Sequence, residues 1–211
     1  MQVELVPYSE FKRVKDFEMS KYEKLQLISD MCRINILTSI MVAGSGHLGT
    51  CFSSIDIMVL LYYFIMGEDD IFMSSKGHDA PAQYSVLHSI GVLRTDDLLK
   101  LRRAGGLPGH PENTTPGVVA NSGSLGMGIS KAKGLALGCK GTVFVLLGDG
   151  ELQEGQFYES INNCAKQGIS NIVVIVDNNV FQSERKIDEI SRVLDNHSLF
   201  GLFDWDCWCC M

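Results

Sequence analysis

The sequence predicts an α/β fold, a parallel sheet flanked by helices, on three observations. Thr142 to Leu147 and Asn171 to Val176 are short runs rich in valine, isoleucine and leucine, the composition of strands buried on both faces. Gln153 to Gln167 lies between them, has helical length and ends at Gly168, which completes a strand, helix, strand unit with parallel strands. Upstream, from Lys21 to Met41, apolar residues return at helical spacing.

In that first segment Leu25, Ile28, Met31, Cys32, Ile36 and Ile40 share one face, so a long amphipathic helix is expected to stop at Ala43-Gly44-Ser45-Gly46. Ser54 reads as the N-cap of a second helix from Ile55 to Met66, with Gly67 as its stop. A third helix is expected from Ala80 to Ile90 before Gly91. Leu101 to Gly117 holds three of the chain's five prolines and several glycines and reads as a long loop. At 211 residues, 45% of them apolar and 20% charged, the chain is expected to form one domain over residues 1–211.

A formal net charge of −7 without clustered Lys and Arg argues against nucleic acid as a partner. An anionic ligand would have to be held locally, by metal, backbone N–H groups and histidines. Residues 1–10 carry no basic segment followed by a long apolar run, which predicts a cytoplasmic protein, and no uninterrupted apolar stretch reaches membrane-spanning length. Cys32, Cys51, Cys139 and Cys164 read as reduced core thiols. The cluster Cys207, Cys209 and Cys210 lacks a second ligand pair for zinc.

The chemistry concentrates where the two predicted strands end. The first runs into Gly148-Asp149-Gly150 and the second into Asp177-Asn178-Asn179, so that Asp149 and Asn179 lie 30 residues apart, the separation one crossover helix requires. Ligands of such sheets gather beyond the carboxyl ends of the strands. Magnesium takes six oxygens and keeps company with phosphates, so a carboxylate, an amide oxygen, a backbone carbonyl, phosphate oxygens and water would complete it. Each motif alone is also an ordinary turn or strand exit. Three histidines directly follow glycine: Gly46-His47, Gly77-His78 and Gly109-His110. Imidazoles on such loops can donate to phosphate or sugar oxygens and exchange protons near neutrality. His88 and His197 lack that setting and read as structural. Asn121 to Ser130 is glycine-rich and opens a helix, a natural place for N–H groups facing a ligand. Glu151 and Glu154 fall in a helix's first turn, where the dipole favours acids.

Gly-Asp-Gly followed about thirty residues later by an apolar strand and Asn-Asn resembles the magnesium motif of thiamine diphosphate enzymes. The run Gly148-Asp149-Gly150-Glu151-Leu152-Gln153-Glu154-Gly155 is similar to transketolases in particular, as are Ser45-Gly46-His47, Ser75-Lys76-Gly77-His78 and Gly106-Leu107-Pro108-Gly109-His110-Pro111-Glu112. The resemblance covers roughly Ser20 to Ile190. It implies the diphosphate-binding (PP-type) domain, with thiamine diphosphate and Mg2+ as cofactors. It further implies that Asp149, the Asn179 side chain and the Phe181 carbonyl ligate the metal, with Gly148 and Gly150 lining the turn. His78, Gly123 and Leu125 would line the cofactor, His47 and His110 would contact the sugar donor, and Glu154 would lie at a subunit interface. Leu48 departs from the proline common in full-length transketolases, which bears on the contact made by His47.

Nothing in the chain corresponds to the second, pyrimidine-binding domain of full-length transketolases. The resemblance therefore implies a hetero-oligomer with a C-terminal partner subunit, and transfer of a two-carbon ketol unit between sugar phosphates. Alternatives are deoxyxylulose phosphate synthesis, against which the Leu152 to Gly155 run speaks, an acyloin-forming step of unusual sugar biosynthesis, and a truncated, non-catalytic remnant. Phe203 to Met211 reads as the start of a strand that breaks off, so the chain is expected to be short at its C-terminus with a sheet edge unpaired.

Overall fold

The structure, a computed structural model, describes residues 4–182, 185–190 and 196–208. The chain folds into two compact units. One is Met1–Met66 with Gly77–Gly123, the other Gly67–Lys76 with Ser124–Met211.

The first unit is helical: α1 (Tyr8–Asp16), α2 (Lys21–Ala43), α3 (Leu48–Leu60) continued by a π turn (Leu61–Ile65), α4 (Ala80–Ser89) and α5 (Thr95–Leu98). Helix α2 starts at a capping box. Ser20 Oγ accepts from Glu23 N–H at 3.3 Å, and Glu23 Oε2 accepts from Ser20 N–H at 2.9 Å, so two orphan donors are satisfied reciprocally. It stops at Gly44, whose φ of 74° allows the left-handed cap. Every residue of α4 is buried, with α2 and α3 packed on it. The stretch 101–117 is indeed without regular structure, but Leu101, Leu107 and Val118 pin it into a core with Tyr84 and Leu87.

Helix α3 corrects the expected boundary. It begins at Leu48, not Ile55, with His47 at its N-cap position, and the Ser54 hydroxyl donates back to Thr50 O at 2.7 Å within the helix. Gly49, Thr50 and Ser53 are poor helix formers, but Cys51, Ser54 and Ile55 are fully buried and packing overrides propensity. Helix α2 and the α3 run through Ile65 are long and apolar enough to cross a membrane by length and composition alone. Each nonetheless buries part of its apolar surface within this unit, as Ile28, Cys32 and Ile36 or Ile55, Met58 and Val59 show.

The second unit carries a three-stranded parallel sheet in the order β1 (Ile71–Ser74), β2 (Val143–Gly148), β3 (Ile172–Asp177). Helices α6 (Gly128–Gly138) and α7 (Gly155–Lys166) pack together, and α6 also packs on β2. A 3-10 turn (Asp149–Gln153) joins β2 to α7, and past β3 come a short hairpin of β4 (Phe181–Gln182) and β5 (Arg185–Lys186), then α8 (Ile187–Ile190) and α9 (Asn196–Gly201). Strand β1 was not foreseen from sequence. Of the two expected strands, β2 is buried on both faces and β3 is not. In β3, which lies at an edge of the sheet among the described residues, Val173 is exposed and Val174 to Val176 are half-buried. Nor does Phe203 begin a strand: the chain turns back, Phe200 meets the Phe157 ring edge-on at 5.7 Å, and the Trp205 indole N–H donates to Ile161 O at 3.1 Å.

Cys32, Cys51 and Cys164 are buried, Cys139 is half-buried, and burial pushes the Cys32 thiol up to about 12, which keeps it unreactive. Cys207 is half-buried. Cys209 and Cys210 lie outside the described residues, as does the side chain of His197.

Candidate functional site

Parallel pairing of β2 with β3 sets Gly148 opposite Asp177, so both oxygen-bearing motifs emerge at the same edge. Asp177, the last residue of β3, is buried, and beyond the strand Asn178 is exposed and Asn179 half-buried. Asp149 reaches across: its Oδ2 accepts from Val180 N–H at 2.7 Å, and its Oδ1 accepts from Gly150 N–H at 2.9 Å. Asn179 Oδ1 accepts from Phe181 N–H at 3.0 Å, and its Nδ2 lies 3.5 Å from Asp177 Oδ2. Phe181 is exposed and Val180 sits at φ 59°, a left-handed backbone costly for a β-branched residue.

Strand β1 brings in a third tip. Ser75 N–H donates to Leu146 O at 2.8 Å, and the next residue, Lys76, places Nζ 2.5 Å from Asp177 Oδ2 with both side chains almost wholly buried. The stem of Lys76 also lines Gly148, where a Cβ would meet it at 3.6 Å. Glu151 is 1% exposed and accepts from Gly148 N–H at 3.1 Å, from Gly126 N–H at 2.9 Å, and from the Ser75 hydroxyl. From sequence Lys76 carries no assigned role, and Glu151 reads only as an acid favoured by the helix dipole. Lys76 stands inside the Ser75 to His78 run, but only the three-dimensional pairing of β1 reveals where it goes.

These tips hold three buried carboxylates, Asp149, Glu151 and Asp177, against the buried ammonium of Lys76. Burial raises the pKa of Asp149, with the Val180 and Gly150 amides opposing and Asp177 adding to the shift. A buried anion held short of compensation is what a divalent cation relieves. Among the described residues no three His, Cys, Asp or Glu side chains group to hold an ion by themselves. The donors that suit one are Asp149, the Asn179 amide oxygen and the Phe181 carbonyl, with the rest from phosphate and water. Gln153 Nε2 is buried without a hydrogen-bond acceptor. Leu125 is half-buried just before Gly126. Glu154 is exposed, its Cβ close enough to Gly126 that a side chain there would collide at 2.6 Å.

The first unit brings the histidines together. The rings of His47 and His78 meet edge-to-face with centroids 5.5 Å apart. Gly77, at φ 70°, abuts Gly123 so closely that a Cβ would lie 2.6 Å from the Gly123 backbone, and a Cβ on Gly123 would lie 2.9 Å from the His110 ring. Glycine at 77 and 123 is thus a packing requirement as well as a conformational one. Tyr84 O–H donates to His110 O at 3.1 Å, and the Arg102 guanidinium donates to Ser45 Oγ at 3.2 Å while packing on Gly109, which tethers the His47 and His110 loops. His47 and His110 stay exposed and His78 half-buried. His88, by contrast, is fully buried between Asn35 and Thr95.

Comparison with known proteins adds the following. Residues 8–201 match the family described as 1-deoxy-D-xylulose-5-phosphate synthase. The chain is 31% identical over 199 residues to an apulose-4-phosphate transketolase subunit of Phocaeicola vulgatus, covering 87% of this chain and 71% of that protein. Its counterpart in Actinobacillus succinogenes is 36% identical over 166 residues, 71% of this chain and 60% of that one. Human transketolase is 34% identical over 79% of this chain and 30% of its own length. Among solved structures, transketolase from Leishmania mexicana superposes with a TM-score of 0.81 at 26% identity, over 88% of this chain and 31% of that one. The chain thus spans about three-fifths of the Actinobacillus protein and under a third of the full-length enzymes.

Proposed function

The chain belongs to the transketolase family, whose members depend on thiamine diphosphate, and from that premise we propose that it is the cofactor-binding subunit of a split transketolase. With a partner subunit supplying the pyrimidine-binding domain it would move a two-carbon ketol unit from a ketose phosphate to an aldose phosphate. Apulose 4-phosphate, the sugar in the names of two relatives, is the first substrate to assay. The setting we propose is cytoplasmic and the assembly a hetero-oligomer.

The observation that carries the reading is the meeting of the two motif halves at adjoining strand tips, with Asp149 Oδ2 bonded to the amide next to Asn179. When bound, the thiazolium of thiamine diphosphate supplies the carbanion that makes and breaks the carbon–carbon bond. The chain's residues hold and orient. Asp149, the Asn179 amide oxygen and the Phe181 carbonyl would ligate Mg2+, and Gly148 and Gly150 leave room for a diphosphate to approach the turn. His78, Gly123 and Leu125 would line the cofactor. His47 and His110, exposed on tethered loops, would donate to hydroxyls of the sugar and exchange its protons. Glu154, exposed beside Gly126, would face the partner.

The test mixes the chain with a candidate pyrimidine-binding partner, thiamine diphosphate and Mg2+ and measures ketol transfer. Turnover that needs both chains is expected. Absence of turnover in a pairing that demonstrably binds the cofactor would refute the reading.

A further inference from the structure

We propose that Glu151 is a positioning residue that preorganises the Gly148–Gly150 turn, and with it Asp149, by tying three chain segments to one buried carboxylate. The link to cofactor binding rests on the function proposed above. An acid in a first helical turn is ordinarily a solvent-facing partner of the helix dipole. Glu151 differs on both counts: it is 1% exposed, and it accepts from Ser75 and Gly126, 76 and 25 residues away in sequence. Dipole stabilisation needs neither.

The donors at Gly148, Ser75 and Gly126 mark three places that must be aligned. Gly148 N–H begins the turn that carries Asp149, the Ser75 hydroxyl follows the end of β1, and Gly126 N–H precedes the opening of α6. The approach is closed by sterics as well. Gly126 takes φ 77° with Glu154 against it, and any side chain at Gly128 would run into Ser75. A carboxylate buried this deeply stays only if its donors are fixed, and fixed donors in turn hold the turn in a single geometry.

Glutamine is the discriminating replacement. It keeps the shape but offers one oxygen for two backbone N–H groups that approach opposite ends of the carboxylate, so either Gly148 or Gly126 must face an amide N–H. In the full-length chain without cofactor, Glu151→Gln should keep its near-ultraviolet circular dichroism while hydrogen exchange at Gly148 or Gly126 accelerates about tenfold or more. Affinity for thiamine diphosphate with Mg2+, read by calorimetry, should fall by roughly tenfold. Ser75→Ala, which leaves both backbone donors satisfied, should cost about two- to threefold in affinity. Unchanged exchange at both glycines in Glu151→Gln overturns the proposal, as does an affinity loss no greater than that of Ser75→Ala. Should Glu151→Gln fail to fold, Ser75→Ala decides, and unaltered affinity and exchange in it overturn the proposal. A wild-type chain that binds no cofactor defeats the proposed function instead, while exchange at the two glycines still decides the positioning role.

Discussion

The two units present their functional side chains in opposite ways. In the helical unit His47 and His110 stand exposed on loops held from behind by a hydroxyl, a guanidinium and glycine backbones. In the sheet unit Asp149, Glu151, Asp177 and Lys76 are buried and engaged in hydrogen bonds. Under the proposed function, groups that would meet a changing sugar can remain adaptable and wet, whereas groups that would meet an ion and a diphosphate act by fixed geometry and low dielectric, which require burial.

The sharpest way to break this contrast is Lys76→Met, which leaves Asp177 buried without its ammonium. Denaturant unfolding should show a loss of about 3–5 kcal/mol, and adding Asp177→Asn should restore most of it. If Lys76→Met is neutral, the sheet unit is not built on buried charge.

Next in size is Asp149→Asn, which keeps an oxygen for Val180 N–H but drops the charge. Cofactor affinity should fall by roughly a hundredfold or more. The cofactor-free chain should nevertheless be no less stable. Burial raises the folded pKa of Asp149, so the folded state binds the proton more tightly than the unfolded one, whose value is about 3.9. That stabilising contribution is present below the unfolded value and lost as pH rises through the raised folded one. In urea melts between pH 4 and 7, Asp149→Asn should lack that loss.

His47→Ala and His110→Ala should reverse the pattern. Being exposed, they should change stability by less than about 0.5 kcal/mol and leave calorimetric cofactor affinity intact. Ketol transfer with the partner should fall by roughly ten- to a hundredfold. A parallel loss of cofactor affinity would place these rings in the wrong role.

The smallest effect sharpens the comparison, because His88 is the helical unit's one buried histidine among the described residues. Burial lowers its pKa, with Asp97 opposing. The unfolded chain therefore takes up its proton first, near pH 6.5, and stability should decline as pH falls from there toward the lower folded value. Urea midpoints at pH 7.5 and 5.5 should differ for the wild type and differ less for His88→Gln.

What could be read from sequence was local. Gly-Asp-Gly and Asn-Asn announced themselves because each is a short motif at the end of an apolar run, and the glycine before each histidine marked its loop. Strand β1 escaped because only Ile71, Phe72 and Met73 are apolar in it, between Asp70 and Ser74, too few for a periodicity. Its evidence is the pairing of Ser74 with Leu146. Helix α1 escaped similarly, burying only Phe11 and Val14. The start of α3 was hidden by Gly49 and Thr50. Lys76 and Glu151 are long-range by nature: nothing beside Glu151 in the chain says that its donors lie at residues 75 and 126.

The ladder between β2 and β3 also works as a selector. Three consecutive residues, 177 to 179, all carry side-chain oxygens, and chemistry alone would not choose among them. Pairing with Gly148 holds Asp177, the last residue of the strand, in the interior, while Asn178 beyond it is exposed and Asn179 half-buried. A shift of the partner strands by a single residue would turn Asp177 to the other face and disable the strand end without altering one atom of its composition. Valines and isoleucines remote from any ligand thereby choose which oxygens are offered to it.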